Sequence, residues 1–515
     1  MTETRSLCII GAGVAGLAAG IYGQLSGFDT EIFEMHSLPG GLCTAWRRHG
    51  YWFDGCIRYL YGSGPGQWLY PVLVEVGAAG VRRFIHHVVI SCVETGSGTQ
   101  VTFYADIDRL EQHLLEVAAQ DGAAPSARAA DAAHVRTFTR AARRFARAQL
   151  PVEPPQGLGA MLREVPRMAH YLPPMSRWTK VSFRQFVAGF HSHTLREAFT
   201  HYYNYADVLD IPMMFPMVDV AQHDRRNAGV PEGGSLALAR DMEQRYRELG
   251  GQIHYRAPVK QILVDAGDAN RPGQARAVGI KLADGTEHRA DVVLSAADAR
   301  ATLFQMLGEQ YVSPAYNEAF GQQQVIPPIV QVSLGVARTF EGVPCILNYP
   351  LRDPVHIAGQ VHHRLSFNHY GYDPSLSPAG KTSVVVVYET EYAPWQALAA
   401  DRAAYDAEKE RVAEQVIDRL DARFPGFRGQ VEVIDVATPL TTERYTGNWQ
   451  GSPQGWQTTV RNVNHNLPSK LDALDRFYVA GQWVQVGGGV PGGILSGRSA
   501  IRQLCRDLGQ PFAAG

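Results

Sequence analysis

The sequence predicts an α/β fold in which a domain built on a parallel sheet is interleaved with an α+β domain that has a mixed sheet and a helical lid. The chain has 515 residues and 51 glycines, and the glycines concentrate in two uncharged runs near the chain ends, 6–28 and 477–497. A β-α-β pattern accompanies the first run, and a strand followed by a helix accompanies the second. Because one sheet then receives strands from both chain ends, we expect two interleaved domains rather than three in series.

The composition is typical of a globular protein of the cytoplasm. Hydrophobic residues make up 45% of the chain, which is enough for a large core. Lys and Arg total 48 against 50 Asp and Glu, so the net charge of -2 gives no reason to expect a nucleic-acid partner. The six cysteines form no Cys-x-x-Cys pair, and glycines interrupt the first run too often for a secretory signal.

The first glycine-rich run predicts a Rossmann-type β-α-β unit, with a strand at 5–10, a helix that ends near residue 26 and a strand at 29–34. The turn before the helix has the pattern Gly-x-Gly-x-x-Gly, and its candidate nucleotide-binding residues are Gly11, Gly13, Ala15 and Gly16. These glycines permit a tight turn, an approach of a pyrophosphate to bare amides, and close packing of helix on strand.

Glu34 ends the second predicted strand, 23 residues after Gly11. An acidic side chain at this position can accept hydrogen bonds from the ribose hydroxyls of an adenosine. It favours FAD or NAD over NADP, because a 2′-phosphate would be repelled.

The loop after Glu34 resembles that of the FAD-dependent flavoproteins that include glutathione reductase and amine oxidase relatives. In those proteins a Gly-Gly pair just after the acidic residue lets the loop lie against the flavin and its phosphates, which requires that no side chain stand between the amides and the ligand. The resemblance implies FAD as the cofactor. The loop residues expected to contact it are Met35, Gly40, Gly41, Leu42 and Thr44.

The second glycine-rich run supplies the other end of the predicted site. Residues 475–481 predict a strand, 486–490 a glycine loop, and Pro491 the first turn of an amphipathic helix. In FAD enzymes of this type, a helix N-terminus here stabilises negative charge on the pyrimidine edge of the reduced flavin.

A third block lies in the middle of the chain. The segment 229–235 leads into a helix at 236–249 and a strand at 250–255, and a ribbon with an Asp284-Gly285 turn then returns the chain to a strand at 291–295.

With these blocks in order, the sequence resembles the phytoene desaturase, carotenoid isomerase and retinol saturase group of flavoproteins, from Gly11 to the final helix. The resemblance implies that Val259 meets the adenine through its backbone. It also implies flavin contacts for a C-terminal set, namely Gly481, Gln482, Gly489, Val490 and Pro491. Many relatives carry an acidic residue where this chain has Gln482, so the contact expected there is altered.

The predicted boundaries follow from these blocks. FAD-binding segments are expected at 1–105, 226–310 and 441–515, a helical lid at 106–225, and the sheet and helix of the substrate domain at 311–440. Within the lid, residues 150–185 mix apolar, basic and proline residues. Such a mixture is compatible with a peripheral membrane contact that draws in lipid, or with a lid whose apolar face is core.

The sequence offers three candidate residues for the walls of the active site. Arg58 and Tyr59 follow the flavin loop, and Trp449 precedes the last strand, where its ring could stack on a conjugated substrate. Asp54 is expected to hold its loop by hydrogen bonds. The paired histidines at 86–87 and 362–363 lack carboxylate or cysteine partners at ligand spacing, so no metal site is expected.

Three functions remain open at this stage. The leading hypothesis is an FAD-dependent oxidoreductase that desaturates, saturates or isomerises carbon-carbon bonds of a lipophilic polyene or isoprenoid by hydride transfer at flavin N5. Since no second nucleotide-binding domain is predicted, the electron partner is oxygen, a quinone, a reductase or the substrate itself. The alternatives are an FAD-dependent amine oxidase and a flavin-stabilised binding protein without catalysis.

Overall fold

The structure is a computed structural model that describes residues 4–121, 124–148, 171–203, 210–266, 275–484 and 488–514, together with residues 159, 162 and 166. The strands in chain order are β1 Ser6–Ile10, β2 Asp29–Glu34, β3 Ala45–Arg48, β4 Tyr51–Asp54, β5 Leu60–Tyr61, β6 Phe84–Ile85, β7 Val89–Glu94, β8 Gln100–Tyr104, β9 Ala228–Pro231, β10 Gln252–Tyr255, β11 Val259–Asp265, β12 Arg276–Leu282, β13 Glu287–Arg289, β14 Val292–Ser295, β15 Ile329–Val336, β16 Ile346–Ile357, β17 Gln360–His369, β18 Thr382–Glu389, β19 Val431–Ala437 and β20 Phe477–Val479. The α-helices are α1 Val14–Leu25, α2 Tyr70–Glu75, α3 Ile107–Gln120, α4 Pro125–Ala146, α5 Leu172–Trp178, α6 Phe183–Val187, α7 His193–Thr200, α8 Met214–Asp224, α9 Gly234–Glu248, α10 Pro314–Gln322, α11 Tyr392–Leu398, α12 Arg402–Arg423, α13 Pro439–Thr446 and α14 Gly489–Leu508.

A five-stranded parallel sheet in the order β10-β2-β1-β14-β20 forms the centre of one domain. Its strands come from the N-terminal, middle and C-terminal parts of the chain, as the two glycine-rich runs predict. Both faces are covered, because Leu7 and Ile9 of β1 point into one core while Cys8 and Ile10 point into another. Burial on both faces explains why β1 is continuously apolar.

Helices α1, α9 and α14 cover one face of this sheet, and a three-stranded antiparallel ribbon, β11-β12-β13, covers the other. Helices α1 and α14 approach closely, since a Cβ added to Gly497 would overlap the carbonyl oxygen of Ala15. The ribbon and its Asp284-Gly285 turn are confirmed, with Gly285 at a φ of 94°. The sequence predicts a ribbon of two strands, and β13 is a third strand that it does not predict.

The second domain contains a seven-stranded sheet in the order β19-β15-β18-β17-β16-β7-β8. All its neighbours are antiparallel except β16 and β7, so the predicted mixed sheet is confirmed. Helix α12 packs on one face with the apolar residues of β15, while Gln331 and Ser333 of β15 lie on the opposite face. Strands β7 and β8 lie inside the segment 1–105, which is expected to belong to the FAD-binding domain, yet they pair within this sheet. The segment boundaries themselves stay a prediction.

Helices α3 to α8 form a helical layer against β7 and β8. Phe199 and Tyr202 are buried in the core of this layer. The residues from 149 to 170 of the predicted membrane-contacting stretch lie outside the described residues, apart from 159, 162 and 166. In the parts of the chain that the structure describes, no helix is long and apolar enough to cross a membrane.

Candidate functional site

The glycine-rich turn joins β1 to α1 and exposes bare backbone at the helix N-terminus. Gly11 has a φ of 95°, and its amide donates a hydrogen bond to the carbonyl oxygen of Phe33 on the neighbouring strand (2.8 Å). A Cβ on Gly16 would overlap the carbonyl oxygen of Gly11. Gly13 is the N-cap residue and brings no side chain to the free amides of the first helical turn. These amides and the helix dipole can bind a phosphate.

The space in front of Gly13 is open. The nearest atom to a Cβ built on Gly13 is the carbonyl oxygen of Gly40, at 4.0 Å. Gly40 donates its amide hydrogen to the carbonyl oxygen of Ala12 (2.8 Å), and a Cβ on Gly41 would lie 3.3 Å from the Cα of Gly13. The loop with the Gly-Gly pair therefore lies directly against the glycine-rich turn.

The rest of this loop leads into β3. The amide of Thr44 donates to the carbonyl oxygen of Leu42 (2.9 Å), and the carbonyl oxygen of Thr44 accepts from Gly55 (3.0 Å). Met35 is 43% exposed, and its sulfur lies 3.6 Å from a Cβ built on Gly447. Leu42 and Thr44 thus lie beside the cradle, whereas Met35 is at its outer edge.

Glu34 is buried at the end of β2, beside the turn. One carboxylate oxygen accepts the amide hydrogen of Ala12 and the other accepts that of His36, both at 2.7 Å. Burial raises the pKa of Glu34, and these amides oppose the shift. Each oxygen keeps a lone pair that can accept a ribose hydroxyl.

Val259 begins β11 close to this carboxylate. The amide of Ala257, two residues earlier, donates to the backbone oxygen of Glu34 (2.9 Å), and the amide of Arg256 donates to that of His36 (3.0 Å). The structure therefore brings the backbone of Val259 near the position expected for the adenosine.

The C-terminal run closes the cradle. Gly481 follows β20 with a φ of 110°, its amide donates to the hydroxyl of Ser496 on α14 (2.8 Å), and its added Cβ would lie 3.7 Å from that of Ala15. The carbonyl oxygen of Gln482 lies 3.2 Å from a Cβ on Gly455. The first turn of α14 holds the remaining predicted residues, which are Gly489, Val490 and Pro491. The loop residues 485–487 lie outside the described residues.

A buried group of hydrogen bonds between Asp54 and Ser235, here called the clamp, connects the loop after β4 to α9. Asp54 accepts hydrogen bonds from the amide and the hydroxyl of Ser235 (both 2.6 Å) and from the amide of Cys56 (2.9 Å). The same hydroxyl accepts from the amide of Ile57 (2.8 Å). Burial raises the pKa of Asp54, and the hydrogen bonds oppose the shift. The predicted holding role of Asp54 is confirmed.

Arg58 and Tyr59 follow the clamp directly. The ring of Tyr59 lies 5.3 Å from that of Tyr61 and 4.8 Å from the imidazole of His223. Arg58 is partly buried, and its Nε is buried without a hydrogen-bond partner among the described residues. The structure therefore places both residues in a polar, largely buried region beside the clamp.

Trp449 lies in an aromatic cluster with Phe320 and with Trp483, the residue that follows Gln482. Its ring is 5.8 Å from Phe320 and 6.5 Å from Trp483, and the guanidinium of Arg300 lies 4.9 Å from its centroid. Its amide donates to Asp298 (3.0 Å). These neighbours indicate a packed position, and contact with a substrate stays a prediction.

The sequence analysis did not identify several polar residues that lie at or near the site. Ser235 follows a Gly-Gly pair at a helix start, a signal that was available, while Ser496 gives no local signal. Asp219 and His223 are spaced i, i+4 on α8, which could have marked a buried pair. Among the described residues, no group of three or more His, Cys, Asp or Glu is arranged to hold a metal ion.

These residues fit FAD in the arrangement expected for its dinucleotide. An open, side-chain-free cradle lies at a helix N-terminus, an acidic side chain lies at the adenosine end, and a second helix N-terminus lies beside Gly481. Fold and site together define a dinucleotide-binding flavoprotein.

Comparison with known proteins agrees with this class. The chain belongs to the family of flavin containing amine oxidoreductases, whose model matches residues 14–505. Membership of this family agrees with the FAD site that the residues fit.

Two relatives and one solved structure illustrate the similarity. The chain is 25% identical over 528 residues to a lycopene-forming phytoene desaturase of Pseudescherichia vulneris, covering 98% of this chain and 100% of that one. It is 27% identical over 310 residues to a chloroplastic prolycopene isomerase of Arabidopsis thaliana, a match that spans 57% of this chain but only 49% of the isomerase. An oxidoreductase from Methanosarcina mazei has the same fold, with a TM-score of 0.63 at 18% identity and coverage of 96% and 100%.

Proposed function

We propose that this enzyme acts on carbon-carbon bonds of a lipophilic polyene or isoprenoid, by desaturation, saturation or cis-trans isomerisation. The observation that carries the proposal is the similarity to a phytoene desaturase over the whole length of both chains. The similarity to a prolycopene isomerase supports the same bond type and leaves the direction of the chemistry open.

The assignment of residues to FAD is part of this proposal. Gly11, Gly13, Ala15 and Gly16 hold the pyrophosphate, and Glu34 holds the ribose. The outer contacts come from Met35, Gly40, Gly41, Leu42, Thr44 and Val259. The flavin end is held by Gly481, Gln482, Gly489, Val490 and Pro491. The open space in front of Gly13 supports this arrangement, because a side chain there would fill the cradle.

The bound flavin supplies hydride transfer, and the chain supplies position and environment. The N-terminus of α14 directs its dipole and free amides toward the region beside Gly481. The clamp between Asp54 and Ser235 holds the loop that carries Arg58 and Tyr59. In this proposal Arg58 and Tyr59 form one wall of the substrate site and Trp449 another, and together they exclude water from the reacting carbons.

The remaining partners follow from the chemistry. A lipophilic substrate has to leave a membrane or a carrier, so we propose a peripheral membrane contact through residues 150–185 of a cytoplasmic enzyme. Electrons pass to or from oxygen, a quinone or a reductase.

Amine oxidation is the second candidate, because the family model that matches the chain is that of the flavin containing amine oxidoreductases. It differs from the first proposal in the bond that is oxidised, which is carbon-nitrogen rather than carbon-carbon.

The two candidates can be separated by anaerobic mixing of the holoenzyme with a polyene in detergent or with a primary amine. Each compound is mixed with enzyme whose flavin is oxidised at the start and, separately, with enzyme whose flavin is reduced at the start. We expect the polyene to change the flavin absorbance in at least one of these two experiments, and the amine to change it in neither. Rapid bleaching of the oxidised flavin by the amine, with no response to any polyene, would reject the proposal in favour of amine oxidation.

A further inference from the structure

Four tyrosines surround a buried carboxylate next to the loop after β4. This tyrosine cluster consists of Tyr59, Tyr61, Tyr202 and Tyr203 around Asp219. The hydroxyl of Tyr61 donates to Asp219 Oδ1 (3.0 Å) and that of Tyr202 donates to Oδ2 (2.6 Å). The rings are in contact, with centroids 5.3 Å apart for Tyr59 and Tyr61 and 4.7 Å apart for Tyr202 and Tyr203.

Asp219 has several polar partners inside the cluster. His223 Nδ1 lies 3.2 Å from Asp219 Oδ1, and both side chains are almost completely buried. Burial alone would raise the pKa of Asp219, but His223 and the two tyrosine hydroxyls outweigh it and lower the pKa. Asp219 is thus a carboxylate with its own set of donors, and it forms no ion pair with Arg58.

Arg58 borders the same cluster without a counter-ion. The Nε of Arg58 is fully buried and has no hydrogen-bond partner, and the guanidinium has no ion pair, among the residues that the structure describes. Arg58 directly precedes Tyr59, whose ring lies 5.3 Å from that of Tyr61 in the cluster. A buried N–H donor without a partner is unfavourable unless a ligand supplies an acceptor.

The position of Arg58 points to the substrate site rather than to a separate one. Arg58 follows Ile57, whose amide is held by the hydroxyl of Ser235, and the same hydroxyl is bonded to Asp54. The clamp fixes Arg58 relative to the loop at Gly40 and Gly41, since Gly55 donates to Thr44. Arg58 is thus held next to the loop that the proposed function assigns to FAD.

We propose that Arg58 binds a carboxylate group of the substrate, so that the enzyme acts on a lipophilic acid rather than on a hydrocarbon or an amine. The guanidinium fork matches a carboxylate in two parallel hydrogen bonds, and the aromatic faces of Tyr59 and Tyr203 flank the apolar chain next to it. An amine would bring a second positive charge to the unpaired guanidinium, and a hydrocarbon would leave its donors unused. The inference rests on the proposed function, because it names the substrate class of that same site.

The test compares an acid with its uncharged ester on the holoenzyme. All-trans-retinoic acid and its methyl ester share the same polyene and differ in charge. Titration of each, followed by tryptophan fluorescence and by the flavin spectrum, is expected to give a dissociation constant about tenfold or more lower for the acid. Equal binding of acid and ester to the unmodified enzyme, or no binding of either, would overturn the inference without any variant.

The variant Arg58→Gln is expected to remove the preference for the acid and to leave binding of the ester within about twofold. Arg47→Gln is the matched control, since Arg47 is an exposed arginine on β3, and it is expected to keep the preference. Retention of the preference in Arg58→Gln would overturn the inference.

If the acid binds through Arg58 but no carbon-carbon bond is altered, the proposed reaction fails while the carboxylate site stands. If the enzyme binds the acid and the ester with equal affinity and alters carbon-carbon bonds in both, the carboxylate site fails while the proposed reaction stands.

Discussion

The glycines at the N-terminus of α1 have different physical roles, although they belong to one motif. Gly13 has an extended backbone conformation (φ -65°, ψ 172°) that any residue can adopt, and open space in front of it. Gly16 is packed against the carbonyl oxygen of Gly11. The first position therefore leaves room for a ligand, and the second allows contact between helix and strand.

The variant Gly13→Leu should fold but lose FAD, because the side chain fits the backbone and fills the cradle. We expect the FAD content after gel filtration to fall at least tenfold, while the circular dichroism spectrum stays that of the FAD-free parent. Gly321→Leu is the control, since Gly321 is exposed and nothing lies within 4 Å of its added Cβ. A Gly13→Leu protein that keeps stoichiometric FAD would show that the pyrophosphate lies elsewhere.

Asp298 makes stability depend on pH at a single buried residue. Burial raises the pKa of Asp298 from its usual value of 3.8 to about 6, although the amides of Ala301 and Trp449 donate to it. The neutral carboxyl therefore adds to the free energy of unfolding at pH values below its ordinary pKa. This contribution is lost as the pH rises through 6. A shift of two units corresponds to about 3 kcal/mol.

We expect the melting temperature of the parent, relative to that of Asp298→Asn, to fall between pH 4 and pH 7. The amide side chain changes the hydrogen bonds by an offset that does not depend on pH, so only the slope is diagnostic. Differential scanning fluorimetry across this range measures it. Parallel curves for the two proteins would contradict the raised pKa.

Contacts between elements determine where the loop after β4 lies. The clamp joins β4 and its following loop to the N-terminus of α9, and Gln331 Nε2 of β15 donates to the backbone oxygen of Asp54 (3.0 Å). One loop is thus tied to a helix of the nucleotide-binding domain and to the sheet of the other domain.

Asp54→Asn should destabilise the protein by about 2 kcal/mol or more, because the amide group places a donor against the donors of Ser235 and Cys56 in a buried site. Ser235→Ala removes the partner hydroxyl. In a double-mutant cycle we expect a coupling energy of about 1 kcal/mol or more, measured by urea unfolding of the two single variants and the double variant. Additive effects of the two substitutions would mean that the clamp does not act as a unit.

The elements with local signals could be predicted from the sequence. The turn at Gly11, the strand that ends in Glu34 and the Asp284-Gly285 hairpin each depend on residues close in sequence, and all three are present in the structure. The sheet membership of β7 and the bond from Ser235 to Asp54 depend on residues more than 150 positions apart. Alternation and spacing carry no information about such pairings.

At the scale of the whole molecule, the proposed FAD site joins three separated parts of the chain. Gly13, Val259 and Gly481 come from the N-terminal, middle and C-terminal segments, and the parallel sheet brings them together. A ligand that contacts all three binds the folded chain and not the unfolded one. It therefore adds stability to the molecule as a whole.

Removal of FAD should lower the melting temperature, and added FAD should restore it with a dependence on concentration. At a free concentration 100 times the dissociation constant, the gain in unfolding free energy is about 2.7 kcal/mol. Thermal unfolding of the FAD-free protein at several FAD concentrations measures this gain. FMN is the control, since it lacks the adenosine that Glu34 would bind. A melting temperature independent of FAD would contradict the three-segment site.

The central claim, that the enzyme alters carbon-carbon bonds, is tested most directly by mass spectrometry and chromatography of a polyene incubated with the holoenzyme. We expect a polyene product that differs by two mass units, for desaturation or saturation, or one of unchanged mass and altered retention, for isomerisation. Polyenes recovered unchanged, together with conversion of an amine to an aldehyde and hydrogen peroxide, would contradict the claim.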